Sequence, residues 1–227
     1  MTYYISWGHI YTSTSERYII LDDNTALYAQ PTDFTVGYMD GTRVAASYHI
    51  LSEKIGNEGK NYYISLLNIE QIEVKDPLYS SQHELDKTGI DPIIINRWWF
   101  GDKYLNIEYL FYYKDINSKH KINLWIDENN PEADENNVFV ILTHSSQEEN
   151  ETQVQQKGIS FDLTGLIPEG KNSITIHMTH TDYKGYSVTE KGVFQYDTEE
   201  NVTSGNQDDD EENKEEYKNY TTSNVLK

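Results

Sequence analysis

The chain has 227 residues and a formal net charge of −20, because 38 acidic residues outnumber 18 basic ones. We therefore expect no binding to nucleic acid, because affinity for phosphates comes mainly from lysine and arginine. An anionic membrane surface would not hold the chain by charge alone either. The absence of cysteine excludes disulfides, a cysteine-ligated zinc and a thiol nucleophile.

The first part of the chain alternates apolar and polar residues in the way that is typical of β-strands. Strands are predicted at residues 3–11, 17–21, 26–29, 42–52 and 61–74. In the fourth of these, Val44, Ala46 and Tyr48 share one face and Arg43 belongs to the other. Five strands in a short segment, some long enough to bend, predict an OB-like barrel for residues 1–85.

The second part begins after a polar bridge at residues 82–91 and contains the clearest pattern of the chain, at residues 98–126. This stretch predicts two amphipathic strands joined by a turn at residues 115–119, and we expect them to pair in one antiparallel sheet with one buried side. Further strands are predicted at residues 93–96, 137–146, 158–163, 173–181 and 186–196. Short strands separated by turn signals predict a β-sandwich for residues 86–197. No helix longer than a turn or two is predicted.

The last segment, residues 198–227, is polar and carries an acidic run at 207–212. Low hydrophobicity combined with like charge predicts a disordered, solvated tail, with a docking tail as the alternative. No window of eighteen apolar residues predicts a membrane-spanning helix anywhere in the chain.

Two histidines, His120 and His144, lie at the edges of predicted strands and in phase with the apolar residues of those strands. Adjacent strands would bring them together as a ligand pair or an acid/base pair. The alternative is two half-buried imidazoles that hydrogen-bond to the backbone. By contrast, His177 and His180 are three residues apart on one strand, so they fall on opposite faces and cannot chelate one ion together.

The aromatic cluster Trp98, Trp99 and Phe100 is the strongest candidate for a contact surface. Strand alternation places Trp98 and Phe100 on one face and Trp99 on the other. The cluster is interpreted either as a stacking platform for a sugar or a peptide, or as packing between the two predicted domains.

No catalytic constellation is present in the sequence. Residues 158–162 lack the closing glycine of a nucleophile elbow. The acidic stretch 127–135 offers oxygen ligands but lacks the glycine of an EF-hand turn, which favours a solvated loop. The sequence therefore predicts no catalytic residue, no metal site, no cofactor and no enzymatic activity.

Several short motifs occur in a specific order along the chain. They are LDDNTAL at 21–27, GTRVAASYHIL at 41–51, YLNI at 104–107, HKINL at 120–124, TH at 143–144 and ISFDL at 159–163. In this order and spacing they resemble the NigD-like proteins of anaerobic Gram-negative bacteria from gut and mouth, and the resemblance spans about residues 3 to 197. Two positions depart from the pattern: Asn24 stands where relatives often have glycine, and Ser145 stands where many have asparagine.

The resemblance implies an N-terminal OB-like domain, a C-terminal β-sandwich and a lipoprotein. Relatives carry a signal peptide, a lipidated cysteine and an acidic linker before the segment that matches residues 3–6, where this chain starts. We therefore expect an export region to have been removed, and a location in the cell envelope, lipid-anchored in the outer membrane or periplasm. The founding member of the family was proposed to be a bacteriocin immunity protein.

The leading hypothesis from the sequence is a non-enzymatic envelope protein that binds another envelope protein or a secreted peptide. Bacteriocin immunity is a special case of this hypothesis. The alternative is carbohydrate binding, because OB-like barrels and β-sandwiches both host oligosaccharide sites. Contact with a membrane is expected only through a lipid anchor that this chain does not contain.

Overall fold

The structure is a computed structural model. It describes residues 2–13, 16–30, 34, 37–54, 60–79, 91–114, 120–146 and 153–196. The predicted turn at 115–119, most of the polar bridge at 82–91 and the acidic tail at 198–227 lie outside these residues.

The first part of the chain forms a closed five-stranded barrel, as predicted. Its strands are β1 (Tyr4–Thr12), β2 (Arg17–Leu21), β3 (Ala26–Tyr28), β4 (Arg43–Glu53) and β5 (Asn61–Gln71). They follow the order β1-β2-β3-β5-β4, and β1 closes the barrel by pairing antiparallel with β4. Strand β3 pairs parallel with β5, whereas the other neighbours are antiparallel.

The barrel interior is filled by one apolar side chain after another from alternating strand positions. Its fully buried members include Ile10, Ile19, Leu27, Val44 and Ile64. Two register shifts between β4 and β5 bend these long strands. The bends allow only five strands to close into a barrel.

The turn between β2 and β3 has the conformation that its sequence suggests. Asn24 has a φ of 61°, and its N–H donates to the carbonyl of Leu21. Asparagine tolerates the left-handed region better than most residues, so it replaces the glycine of relatives at little cost.

The second part forms a sandwich of two sheets. Its strands are β6 (Glu73–Lys75), β7 (Leu78–Tyr79), β8 (Ile94–Gly101), β9 (Tyr104–Tyr113), β10 (Lys121–Ile126), β11 (Asn137–Ser145), β12 (Gln153–Asp162), β13 (Ser173–Thr181) and β14 (Ser187–Gln195). One sheet has the order β14-β13-β11-β10-β7 and the other β6-β12-β9-β8. This confirms the predicted all-β class and the predicted sandwich.

The predicted pairing of the two strands in residues 98–126 is wrong. Strand β9 pairs with β8 and β12, whereas β10 lies in the other sheet and pairs with β11 and β7. Both strands bury one face in the same core, with Leu105 and Ile107 from β9 and Leu124 from β10 fully buried. The alternation of apolar residues is the same whether two strands pair edge to edge or face each other across a sandwich, so the sequence pattern could not separate the two.

Strands β6 and β7 follow directly after the barrel and join one sandwich sheet each. Strand β6 pairs parallel with β12, and β7 pairs parallel with β10. The predicted boundary at residue 85 falls outside the described residues and stays a prediction. The described strands of barrel and sandwich belong to one compact unit, residues 1–196.

Helical structure is minimal where the chain is described: one 3-10 turn at Thr164–Leu166 is assigned there. Within these residues, no helix has the length and apolar character needed to cross a bilayer.

Candidate functional site

The three aromatic residues predicted as a contact surface are split between two faces of β8. Trp98 packs edge-on against Phe100, with ring centroids 5.5 Å apart, and Phe100 lies 5.4 Å from the ring of Phe194. The indole N–H of Trp98 donates to the carboxylate of Glu190 on the facing sheet. These half-buried rings therefore pack along one side of the sandwich, and a binding role for Trp98 and Phe100 stays a prediction.

Trp99 points the other way, towards the barrel. Its ring meets the ring of Trp7 edge-on at 4.8 Å, and the guanidinium of Arg97 lies 4.6 Å from its centroid. Trp7 is buried and its ring touches Gly158, where an added Cβ would come within 2.4 Å. The position of Trp99 therefore agrees with the packing interpretation.

The two predicted histidines, His120 and His144, come together. Nδ1 of His120 lies 3.0 Å from Nε2 of His144, and the rings are nearly parallel, with an interplanar angle of 7°. Nδ1 of His144 is 3.2 Å from the carbonyl oxygen of Pro92, which requires that nitrogen to carry the proton. In neutral imidazoles, Nε2 of His144 is then the acceptor and Nδ1 of His120 the donor, so the pair forms a hydrogen-bonded chain to the backbone. A binding role for these residues stays a prediction.

The other histidine pair occupies opposite faces of β13, as the alternation predicts. His177 stacks on Phe139 at 4.3 Å. His180 is buried, and its Nε2 lies 3.3 Å from a carboxylate oxygen of Glu190. Across the described part of the chain, no group of three or more histidine or acidic side chains converges to hold a metal ion.

The sequence analysis missed a buried charged cluster where barrel and sandwich meet. Arg43 of β4 is fully buried, and its guanidinium donates to both carboxylate oxygens of Asp22 in the barrel. It also donates to Asn106 Oδ1 at 2.9 Å and to Ser160 Oγ at 3.3 Å, both from the sandwich, and stacks on the ring of Tyr104 at 4.5 Å. The strand pattern placed Arg43 on the correct face, but only the fold shows that the sandwich covers that face.

The sequence analysis also missed a row of four tyrosines on the outside of the barrel. The row, called the tyrosine ladder, consists of Tyr11 on β1, Tyr18 on β2, Tyr28 on β3 and Tyr63 on β5. Each is the chain neighbour of a buried core residue, so strand alternation turns it outward. The available signal was that each tyrosine lies in a predicted strand next to an apolar residue. Finding the row required the register between strands.

The rings of the ladder contact one another in sequence across four adjacent strands. Tyr11 is directly opposite Tyr18, and Tyr28 is directly opposite Tyr63. Neighbouring ring centroids are 4.8 Å apart from Tyr11 to Tyr18 and from Tyr18 to Tyr28, and 6.1 Å apart from Tyr28 to Tyr63. The end residues Tyr11 and Tyr63 are 40% and 45% exposed. The ladder is therefore a continuous aromatic surface that is open at both ends.

Charged side chains border the ladder. The ammonium of Lys54 lies 3.3 Å from the ring centroid of Tyr28 and 3.4 Å from both carboxylate oxygens of Glu16. Asp40 is held beside the end of β1, where its carboxylate accepts the N–H of Thr12 at 2.6 Å. Burial raises the pKa of Tyr18, and the neighbouring phenols and the carboxylates of Glu16 and Asp40 raise it further. The surroundings of Tyr18 thus disfavour added negative charge.

One groove lies at the end of the sandwich, with a volume of about 290 Å³. Its lining consists of Asp76, Pro77, Tyr79, Ile126, Asp162, Thr164, Gly165 and Leu166. Burial by itself raises the pKa of Asp162, but hydrogen bonds from Lys103 and Thr164 outweigh it and hold the pKa below its usual range. Among the described residues that line it, the groove therefore presents the carboxylate of Asp162, which is already hydrogen-bonded within the protein, and no histidine or serine that would form an acid/base or nucleophile pair with it.

Comparison with protein families identifies the C-terminal part of the chain. Residues 76–196 match the family model described as the NigD-like C-terminal beta sandwich domain. This segment is more than half of the chain and covers the sandwich strands from β7 to the end of β14. A comparison with curated proteins finds no match.

Comparison with solved structures finds the same fold over most of the chain. A protein of unknown function from Bacteroides vulgatus ATCC 8482 is 22% identical, with a TM-score of 0.69, covering 90% of this chain and 96% of that one. A NigD-like immunity protein from Bacteroides caccae ATCC 43185 is 17% identical, with a TM-score of 0.64 and coverage of 86% and 97%. A candidate lipoprotein from Bacteroides fragilis NCTC 9343 is 9% identical, with a TM-score of 0.61 and coverage of 87% and 100%. At these identities the similarity establishes the shared fold.

Proposed function

Because the chain belongs to the NigD-like family, we propose that it is a non-enzymatic binding module of the cell envelope that recognises another envelope protein or a secreted peptide. The envelope location is supported by the similarity to a candidate lipoprotein and to an immunity protein. Immunity against a secreted toxic peptide is the special case that the name of the similar immunity protein suggests.

The tyrosine ladder is the observation that carries this proposal. Tyrosine is enriched in protein interfaces because it brings a large, rigid and amphipathic contact surface at a low cost in side-chain entropy. Four such rings in contact, with 40% to 45% exposure at the ends, form an aromatic surface that the barrel does not need for its own core. The cluster around Trp98 and Trp99, in contrast, is engaged in packing within the molecule.

Carbohydrate is the second candidate ligand, and the ladder supports it as well, because sugars stack on tyrosine rings and OB-like barrels host oligosaccharides. The ring geometry favours a protein partner over carbohydrate. Tyr18 and Tyr28 are stacked at 25° and cover each other's faces, which leaves mainly ring edges and hydroxyl groups for contact. A sugar ring needs an open aromatic face, whereas a protein partner also uses edges and hydroxyl groups.

Affinity capture tests the proposal. The immobilised chain is incubated with envelope extract and secreted medium from a Bacteroides culture, and the bound material is identified by mass spectrometry. The double variant Tyr11→Ser/Tyr63→Ser removes the two exposed ends of the ladder. The matched control is Tyr186→Ser, which removes a 67% exposed tyrosine outside the ladder.

The expected result is one enriched protein or peptide that is retained by the control and lost by the double variant. Enrichment of glycans with the same dependence would place carbohydrate binding first. A partner that both variants retain, or no enrichment at all, would contradict a binding role for the ladder.

A further inference from the structure

We infer that the tyrosine ladder binds a lysine- or arginine-containing segment of its partner, with the exposed ring of Tyr11 and the carboxylate of Asp40 receiving the cation. This inference rests on the proposed function and names the chemistry of the partner. It follows from the contact that the ladder already makes with a cation of the same chain, the ammonium of Lys54.

Lys54 shows that the ladder accepts a cation. Its ammonium lies 3.3 Å from the centre of the Tyr28 ring and 5.9 Å from that of Tyr63. The carboxylate of Glu16 approaches the same ammonium at 3.4 Å. The side chain of Lys54 is only 17% exposed, so the contact holds most of its length against the barrel. An aromatic face combined with a carboxylate is the arrangement that recognises alkylammonium and guanidinium groups.

The other end of the ladder repeats these elements around Tyr11 and Tyr18. The two rings are tilted by 40° with centroids 4.8 Å apart, and Tyr11 is 40% exposed, so part of the Tyr11 ring is open to a partner. Asp40 lies at the end of β1 next to Tyr11, held by its hydrogen bond from Thr12. The raised pKa of Tyr18, to which Glu16 and Asp40 contribute after burial, agrees with a negative potential at this end.

The charge of the whole chain favours the same class of partner. A net charge of −20 attracts a cationic segment over a distance and repels polyanions. The ladder then supplies the short-range contacts that simple charge attraction lacks. Binding is therefore expected to depend on both ionic strength and the tyrosine rings.

The test measures binding of a fluorescein-labelled, N-acetylated octalysine peptide to the intact chain by fluorescence anisotropy at low and at physiological ionic strength. Asp40→Asn removes one negative charge at the ladder and keeps an oxygen that accepts the Thr12 N–H. Its matched control is Glu132→Gln, which removes one charge from an exposed loop of the sandwich. Tyr11→Ser removes a ring without changing the charge, with Tyr186→Ser as its control. Far-UV circular dichroism verifies that each variant is folded.

Asp40→Asn and Tyr11→Ser are each expected to weaken binding about two- to fivefold more than their controls, the range for an exposed cation–aromatic contact. Equal effects of Asp40→Asn and Glu132→Gln, or a Tyr11→Ser variant that binds as the wild type does, would overturn the inference. If affinity capture finds a ladder-dependent partner while all variants bind octalysine equally well, the proposed function stands and the inference that the ladder binds a cationic segment is wrong.

Discussion

The buried pair Arg43–Asp22 gives the sharpest prediction about stability. The Arg43 side chain is 0% exposed and that of Asp22 is 15% exposed. Asp22→Asn keeps the shape of the side chain but leaves the guanidinium in the junction without its counter-charge. Breaking a buried ion pair from one side costs about 3–5 kcal/mol. In a protein of this size that corresponds to a fall in Tm of about 6–20 °C, taking about 2–4 °C per kcal/mol.

The free energy of unfolding is obtained from urea denaturation at pH 7, followed by circular dichroism and tryptophan fluorescence. The control is Glu135→Gln, which breaks the exposed pair with Lys171 and is expected to cost less than about 1 kcal/mol. The double variant Arg43→Met/Asp22→Asn removes both charges and should recover part of the loss, because no unpaired charge remains. A loss below about 1 kcal/mol for Asp22→Asn would refute the reasoning that this buried ion pair stabilises the contact between barrel and sandwich.

Three further predictions concern packing and titration. Gly158→Ala should destabilise the fold by about 1–3 kcal/mol, because its Cβ would come within 2.4 Å of the Trp7 ring, as measured by urea denaturation. The pKa of Asp162 is lowered in the folded state, so its contribution to stability is present above the unfolded pKa and is lost as the pH falls through the folded one. Lys103→Met should reduce this acid dependence in urea titrations from about pH 5 down to about pH 2, the range that spans the unfolded pKa of a carboxyl group and the lower folded one. Burial lowers the pKa of His9, so NMR titration should place its midpoint below 6.5, and acidification through that range should cost stability.

Gly37→Ala is the control for the glycine variant, and each of the three predictions has a contradicting result. Gly37→Ala adds a Cβ with no atom within 4 Å and should leave stability unchanged, so equal effects at both glycines would show that the Trp7 contact is not tight. If the acid dependence of stability were unaltered in Lys103→Met, Lys103 would not be the partner that lowers the pKa of Asp162. A His9 titration midpoint at or above 6.5 would mean that burial is not the main influence on the pKa of His9.

Much of the fold follows from local sequence pattern. All five barrel strands and the sandwich were predictable because alternation of apolar residues reports which face of a strand is buried, as at Ile10, Ile19 and Leu27. The positive φ of Asn24 agrees with its place in the turn between β2 and β3, because asparagine tolerates the left-handed region. The pairing of β9 was not predictable, since the same alternation serves a hairpin and two strands facing each other across a sandwich.

The candidate site was only partly predictable, because it depends on register and on contacts between distant segments. The meeting of His120 and His144 was anticipated from their phase on neighbouring strands. The tyrosine ladder was not, because Tyr11 and Tyr63 become part of one surface only once four strands take their places. The burial of Arg43 likewise depends on side chains that are far away in the sequence.

Site-specific photo-crosslinking in living cells tests the central claim most directly. A photoreactive benzoyl-phenylalanine replaces Tyr63 in the ladder in one strain, and replaces Tyr186, outside the ladder and more exposed, in another. Our account predicts a single crosslinked envelope protein or secreted peptide, rich in lysine or arginine at the point of attachment, from position 63 and not from position 186. The same product from both positions, or none from position 63, would contradict the claim that the ladder is the binding surface.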